Sequence, residues 1–359
     1  MGIYFINLGF IILLGILFQT KGNNKAKEKL YITIAYTSIF IVAAFRDITV
    51  GTDTKQYQII YSTLAHINYS DIFDIYRSEY GYILLNKVLS FFTLEPQAIT
   101  IVTSGLIVLL MAIFVYNNSQ NVYVSTFLFL TTFYFCISMN ASRQFISVVL
   151  ICNSFYFLKR QKTKLFIFMI LLASLFHLSS IVFLVVIILK FIKPNAKNFI
   201  IICTFSLVVT LILMFSNDAI LNIFSYYDVY QNTRFFTGNS VRGTYLIWVA
   251  QLALAFISIF ILNKNQKKYN DVTKFEMFYL SIFMVFSVSM GLIGTKLFIL
   301  SRMTYYFGVF MIIFIPNILA KINKVGMLVY IPLYLVLTLY YFYMLKSGSE
   351  GVVPYNFSK

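Results

Sequence analysis

The feature that most restricts this chain is the recurrence of long apolar runs, at residues 3–19, 30–45, 97–116, 122–139, 145–158, 165–192, 199–216, 244–263, 276–293, 303–320 and 326–345. A segment of about 20 apolar residues crosses a hydrocarbon core of roughly 30 Å only as a helix, because lipid offers no partner to bare backbone N–H and C=O groups. A membrane barrel would alternate polar and apolar residues, and these runs do not. With 60% hydrophobic residues and 11% charged, an ordinary soluble fold is excluded. The sequence therefore predicts an all-α polytopic membrane protein, one integral membrane domain over residues 1–359.

Charge then orients the runs. The net charge of +16 would suit a nucleic-acid partner, yet the lysines stand in short clusters between apolar runs, with no basic domain attached, so no nucleic acid is expected. Lys21, Lys25, Lys27 and Lys29 place the first loop in the cytoplasm, and Lys159 to Lys164, Lys193, and Lys264 to Lys274 fall on the same side if residues 81–92 do not cross. That stretch would be about 18 Å long as a helix and reads as a re-entrant segment. Residues 165–192 carry basic flanks at both ends and predict a hairpin of two short helices turning near His177, sunk below the outer surface. The sum is about twelve transmembrane helices plus one re-entrant segment, with both termini and the segments 46–80 and 217–243 external. Trp248 fits an interfacial anchor, and Cys136, Cys152 and Cys203 lie inside apolar runs as core residues. The first run lacks a basic start and a small-residue cleavage site, so it is expected to stay as a span, and Ile6 argues against myristoylation at Gly2.

Under this topology 16 of 21 lysines are cytoplasmic, whereas six of seven arginines (46, 77, 143, 234, 242 and 302) are external. The positive-inside rule treats the two cations alike, so the separation has another cause. Either a lysine-rich composition left a few arginines outside by chance, or they bind phosphate, which the planar guanidinium fork grips bidentately.

The densest polar cluster is Phe45-Arg46-Asp47-Ile48-Thr49-Val50-Gly51-Thr52-Asp53-Thr54-Lys55-Gln56-Tyr57. Asp53 either caps the helix that follows or offers a carboxylate to a sugar hydroxyl, and Asp47 reads as the ion-pair partner of Arg46. His177, beside Ser179 and Ser180, is either a satisfied core histidine or a proton acceptor. Glu79 and Tyr80 precede the re-entrant stretch and could line the same cavity, and external tyrosines such as Tyr57, Tyr226, Tyr227 and Tyr230 could stack on sugars. His66 reads as surface. No P-loop, HExxH, cysteine-rich metal site or Gly-x-Ser-x-Gly elbow is present, so no ATP, metal or other cofactor is expected.

The motif FRDxxVGTDTxxY, with Ser142-Arg143-Gln144, Phe176-His177-Leu178-Ser179-Ser180 and Ser301-Arg302 following in order, resembles the EpsG/Wzy-like bacterial polysaccharide polymerases over about residues 30–320. The resemblance implies a GT-C-like architecture in the bacterial inner membrane. It also implies glycosyl transfer from an undecaprenyl-pyrophosphate-linked oligosaccharide to a sugar hydroxyl on the outer face, with a chain-length regulator left open as a partner. On that reading Arg46, Arg143 and Arg302 converge on the pyrophosphate, Asp53 or His177 serves the acceptor with Arg46 close by, and Tyr57, Glu79, Arg234 and Arg242 contact sugar. An O-antigen ligase-type transferase, or a flippase for the same lipid, are the alternatives.

Overall fold

The computed structural model describes residues 1–19, 24–68, 79–215, 243–296, 298–322 and 327–358, and among these no strand is present. The helices are α1 (Gly2–Phe18), α2 (Lys25–Ala44), α3 (Thr54–His66), α4 (Tyr80–Ser90), α5 (Gln97–Asn118), α6 (Val122–Thr131), α7 (Tyr134–Asn140), α8 (Ser142–Lys159), α9 (Thr163–Ser174) and a 3-10 helix (Leu178–Phe191). They continue with α10 (Ala196–Phe215), α11 (Gly243–Lys264), α12 (Asp271–Ile293), α13 (Phe298–Ser301), α14 (Thr304–Gly308), α15 (Met311–Leu319), α16 (Met327–Lys346) and a short 3-10 turn (Ser349–Gly351). Among the described residues five helices, α5, α10, α11, α12 and α16, are long and apolar enough to cross a membrane, and α6 with α7, bent by 56°, makes a sixth. The chain is thus a multi-pass helical membrane protein. Several of the twelve expected crossings fall on shorter helices: α9 has 12 residues and measures about 18 Å.

The helices fall into two compact units, residues 1–184 with 322–359, and residues 185–321. In the first unit two polar levels mark opposite helix ends. At one level Tyr123 donates to the Phe18 carbonyl at 3.1 Å and the Lys25 ammonium lies 5.7 Å from the Tyr116 ring centroid. Here the loops expected in the cytoplasm supply the caps, since Asn24 accepts from the Lys27 amide and Asn121 from the Val124 amide. At the other level the start of α1 meets the C-terminal residues through Tyr4, which donates to the Val352 carbonyl at 2.7 Å.

The second level is organised by Arg46. Its side chain is 1% exposed, and each of its five N–H groups has a protein acceptor: the Ala43 carbonyl, Met139 O at 2.8 Å, Ser104 Oγ at 3.0 Å, and more weakly Thr54 Oγ1 at 3.4 Å and Ser142 Oγ at 3.5 Å. All five are neutral. Ala43 and Met139 lie in the last turns of α2 and α7, where free carbonyls carry partial negative charge, so two helix ends stand in for a counter-ion. Burial pushes the guanidinium down to about 10, and it stays charged at neutral pH. In this conformation the protein itself occupies each Arg46 N–H, and Asp47 accepts from the Thr49 amide at 3.0 Å and hydroxyl at 2.7 Å.

The bend between α6 and α7 makes this arrangement possible. Phe133 takes a left-handed conformation, φ +73°, which breaks the run 122–139 and turns Met139 and Asn140 toward the 46–54 turn. The expected hairpin is present: Phe166 of α9 and Phe183 lie 6.2 Å apart, although 17 positions along one straight helix would separate them by about 25 Å. Its second arm is a 3-10 helix and so, at about 2 Å per residue, longer than an α-helical arm would be.

In the second unit α10, α11, α14 and α15 surround α12, which is buried on every side from Met277 to Val285. Trp248 is 6% exposed and lies across Gly291 of α12, where a Cβ would come within 2.3 Å of the indole. It is a packing residue here rather than the interfacial anchor expected. Gly294 approaches Ser301 so closely that a Cβ would meet the Ser301 backbone at 2.6 Å, which lets the chain double back before Arg302.

Replacing Arg46 with Lys leaves a single point charge facing acceptors that need a planar fork, and each buried acceptor left unpaired costs about 1–3 kcal/mol. Thermal unfolding in detergent micelles should show a markedly lower midpoint for Arg46→Lys, and a midpoint equal to wild type would refute the strut role.

Candidate functional site

Four segments of the first unit meet beside the Arg46 level: α3, the head of α4, the start of α8 and the turn between α9 and the 3-10 helix. Helix α3 is fixed against α4 by Lys87, whose buried ammonium donates to the Leu64 and Ile67 carbonyls at 3.0 and 2.7 Å and so caps the α3 C-terminus. Tyr61 donates to the Thr93 carbonyl at 2.5 Å, and Tyr57, Tyr61, Tyr82 and Ile99 form a small core that Phe176 covers. Gly81 brings α4 onto the hairpin turn. Its amide donates to the Leu175 carbonyl at 2.8 Å, and a Cβ there would meet Leu175 atoms at 2.9–3.1 Å.

This approach places Glu79 between a guanidinium and an imidazole. One oxygen accepts from Arg143 Nη1 at 2.5 Å and the other lies 2.5 Å from His177 Nδ1. Glu79 itself is left-handed, φ +60°, a conformation that a non-glycine residue holds only where its surroundings impose it. Burial alone would raise its carboxyl, but the His177 hydrogen bond and the Arg143 charge outweigh this and hold it below its ordinary value. A carboxylate accepts only, so His177 Nδ1 carries the proton and Nε2 is left as an acceptor. Arg143 sits over two rings, 5.4 Å from the Tyr57 centroid and 5.5 Å from that of Tyr82, and its buried Nε has no hydrogen-bond partner.

Asp53 lies one turn before Tyr57 at the head of α3. It occupies the capping position, but its side chain makes no capping bond, and its backbone N–H is held by Asn140 Oδ1 at 2.8 Å. Since Asn140 and Arg143 are both near the α8 N-terminus, the pairs Asp53–Asn140 and Tyr57–Arg143 run side by side.

Glu79, Arg143, His177 and Tyr57 are therefore brought together, with Asp53 adjoining them. Tyr57, however, is 6% exposed and forms the floor under Arg143, not an open platform for a sugar. Arg302 lies in the second unit, between α13 and α14. Arg77, Arg234, Arg242, Tyr226, Tyr227 and Tyr230 lie outside the described residues. The sequence reading passed over Tyr82, Lys87 and Asn140. Asn140 was the most accessible of these, an amide two residues before the Ser142-Arg143-Gln144 motif at the end of an apolar run. No group of three or more His, Cys, Asp or Glu side chains converges among the described residues, and no metal is assigned.

Compared with known proteins, residues 29–357 match the EpsG family. No curated protein and no solved structure matches the chain.

The lowered carboxyl of Glu79 sets a pH dependence. Its contribution to stability is complete above the ordinary glutamate range, near 4.3, and is lost as pH falls through the lower folded-state value. The unfolding midpoints of wild type and Glu79→Gln should differ at pH 7 and converge in acid. A gap that stays constant with pH would contradict the ion pairing.

Proposed function

The chain belongs to the EpsG family, and from that membership, together with the carboxylate shared at Glu79, we propose that it is a membrane glycosyltransferase of the polysaccharide-polymerase type. It joins undecaprenyl-pyrophosphate-linked oligosaccharide units on the outer face of the bacterial cytoplasmic membrane, within a twelve-crossing, GT-C-like scaffold. The outward assignment is supported by the first unit, where Glu79 and Arg143 adjoin the level opposite to the one bearing Lys25.

The observation that carries this reading is the Glu79 carboxylate held at 2.5 Å from both Arg143 and His177. A carboxylate on Nδ1 fixes the tautomer of an imidazole and stabilises the imidazolium it becomes, which is what a general base at Nε2 requires. The acceptor hydroxyl oxygen attacks the anomeric carbon of the donor sugar. A new carbon–oxygen bond forms as the bond to the pyrophosphate oxygen breaks, the bonding pair leaves with the lipid pyrophosphate, and the hydroxyl proton passes to His177. Arg143, whose side chain is 34% exposed, meets the charge that develops on the leaving group. Asp53 orients the acceptor hydroxyl. The energy resides in the pyrophosphate bond, and no nucleotide is consumed.

Purified protein in liposomes, supplied with one defined lipid-linked repeat unit, tests the proposal. Wild type should lengthen the glycan, and His177→Ala should slow elongation by about 10²–10⁴-fold, the usual contribution of a general base. Arg143→Lys should retain only part of the rate, because a point charge cannot reproduce the fork. Movement of the lipid across the bilayer without elongation would make the protein a flippase, and transfer to an unrelated acceptor without elongation would make it a ligase.

A further inference from the structure

Residues 350–358 lie against the turn at residues 45–54. The Asp47 amide donates to the Asn356 carbonyl at 2.9 Å, the Ser358 amide to the Phe45 carbonyl at 2.9 Å, and the Gly51 and Thr52 amides to the Gly351 and Glu350 carbonyls at 2.9 and 3.3 Å. Tyr355 donates to the Val42 carbonyl at 2.9 Å. Close approach requires glycine on both sides. Gly51 has φ +90°, and Gly351 has φ +62° with no room for a Cβ, which would stand 2.8 Å from Thr52 Cγ2.

Next to Gly351, Glu350 is held in a left-handed conformation, φ +63°, that its side chain does not favour. Its carboxylate accepts from Asn140 Nδ2 at 2.5 Å. Asn140 Oδ1 in turn accepts from the Asp53 amide and the Thr52 hydroxyl, both at 2.8 Å. The amide orientation follows from its partners, since a backbone N–H only donates and a carboxylate only accepts.

We propose that the C-terminal segment is a strap that positions the site, with Glu350 acting through Asn140 to set where the head of α3 presents Asp53 and Tyr57. This rests on the reading of Asp53 and Arg143 as parts of a transferase site. Glu350 and Asn140 are positioning residues and touch no substrate. A displacement of about 1 Å in a positioned group can reduce a rate by as much as 10²-fold, so a rigid link to the α3 head matters even at this remove.

Two measurements on the full-length protein separate the strap from the transferase reading. Hydrogen exchange over residues 47–54 reads the strap without reference to activity, and Glu350→Ala should accelerate exchange there while leaving exchange in α12 unchanged. Elongation in liposomes reads the consequence. Asn140→Asp sets one carboxylate against another and should lower kcat at least tenfold, whereas Asn140→Asp with Glu350→Gln reverses donor and acceptor, restores the bond and should recover most of it. KM for the lipid-linked unit should change less than kcat. The strap role is overturned if exchange at 47–54 is unaffected by Glu350→Ala, or if the double variant is no more active than Asn140→Asp. If wild type shows no elongation while Glu350→Ala loosens the turn, the strap stands and the transferase reading fails.

Discussion

A buried guanidinium held by neutral acceptors, with no carboxylate among its described partners, is the constraint on which the first unit depends. Moving a cation out of water costs several kcal/mol, and an uncompensated one would unfold a marginally stable protein. Arg46 is tolerated because α2 and α7 end against it and because hydroxyls of Thr54, Ser104 and Ser142 face it. Two of those hydroxyls donate elsewhere, Thr54 to the Val50 carbonyl and Ser142 to the Ser138 carbonyl, so their oxygens are free to accept. Three stretches far apart in sequence, residues 43–54, Ser104 and residues 139–142, are thereby fixed at one point, and any relative shift among them would leave a charge unsolvated.

The candidate site inherits its geometry from that point. Ser142 is the residue before Arg143 and Thr54 is three before Tyr57, so the strut that holds the first of each pair sets the second. The strap adds a further tie through Asn140, and Lys87 fixes the far end of α3. The result is a frame in which Glu79 reaches a guanidinium and an imidazole at once. Sharing one carboxylate neutralises Arg143 only in part and orients His177, a division of labour suited to a reaction that must receive a proton and accommodate a departing anion.

The fold was legible in its parts more than in its sum. The apolar runs became helices, the polar loops supplied Asn24, Asn121 and Asn270 as caps, and the hairpin at His177 followed from basic residues at both ends of one run. The break at Phe133 was not legible, because a phenylalanine in a left-handed conformation leaves no local signature. Trp248 was placed by its aromatic amphipathicity at an interface, and the opening beside Gly291 took it inward.

What the sequence determined by itself is that the chain is helical and lies in a membrane, because lipid solvation of the backbone and the sorting of lysine act on each segment alone. It also marked the polar residues worth watching, since every charge in such a chain needs a compensating partner. Only the tertiary structure decided which of these became strut and which became site. Arg46 and Arg143 look alike in sequence, each beside an apolar run, yet one is satisfied by carbonyls and hydroxyls up to 96 positions away and the other by a carboxylate 64 positions away. Such partners are set by how helices meet, and no local pattern of residues records that.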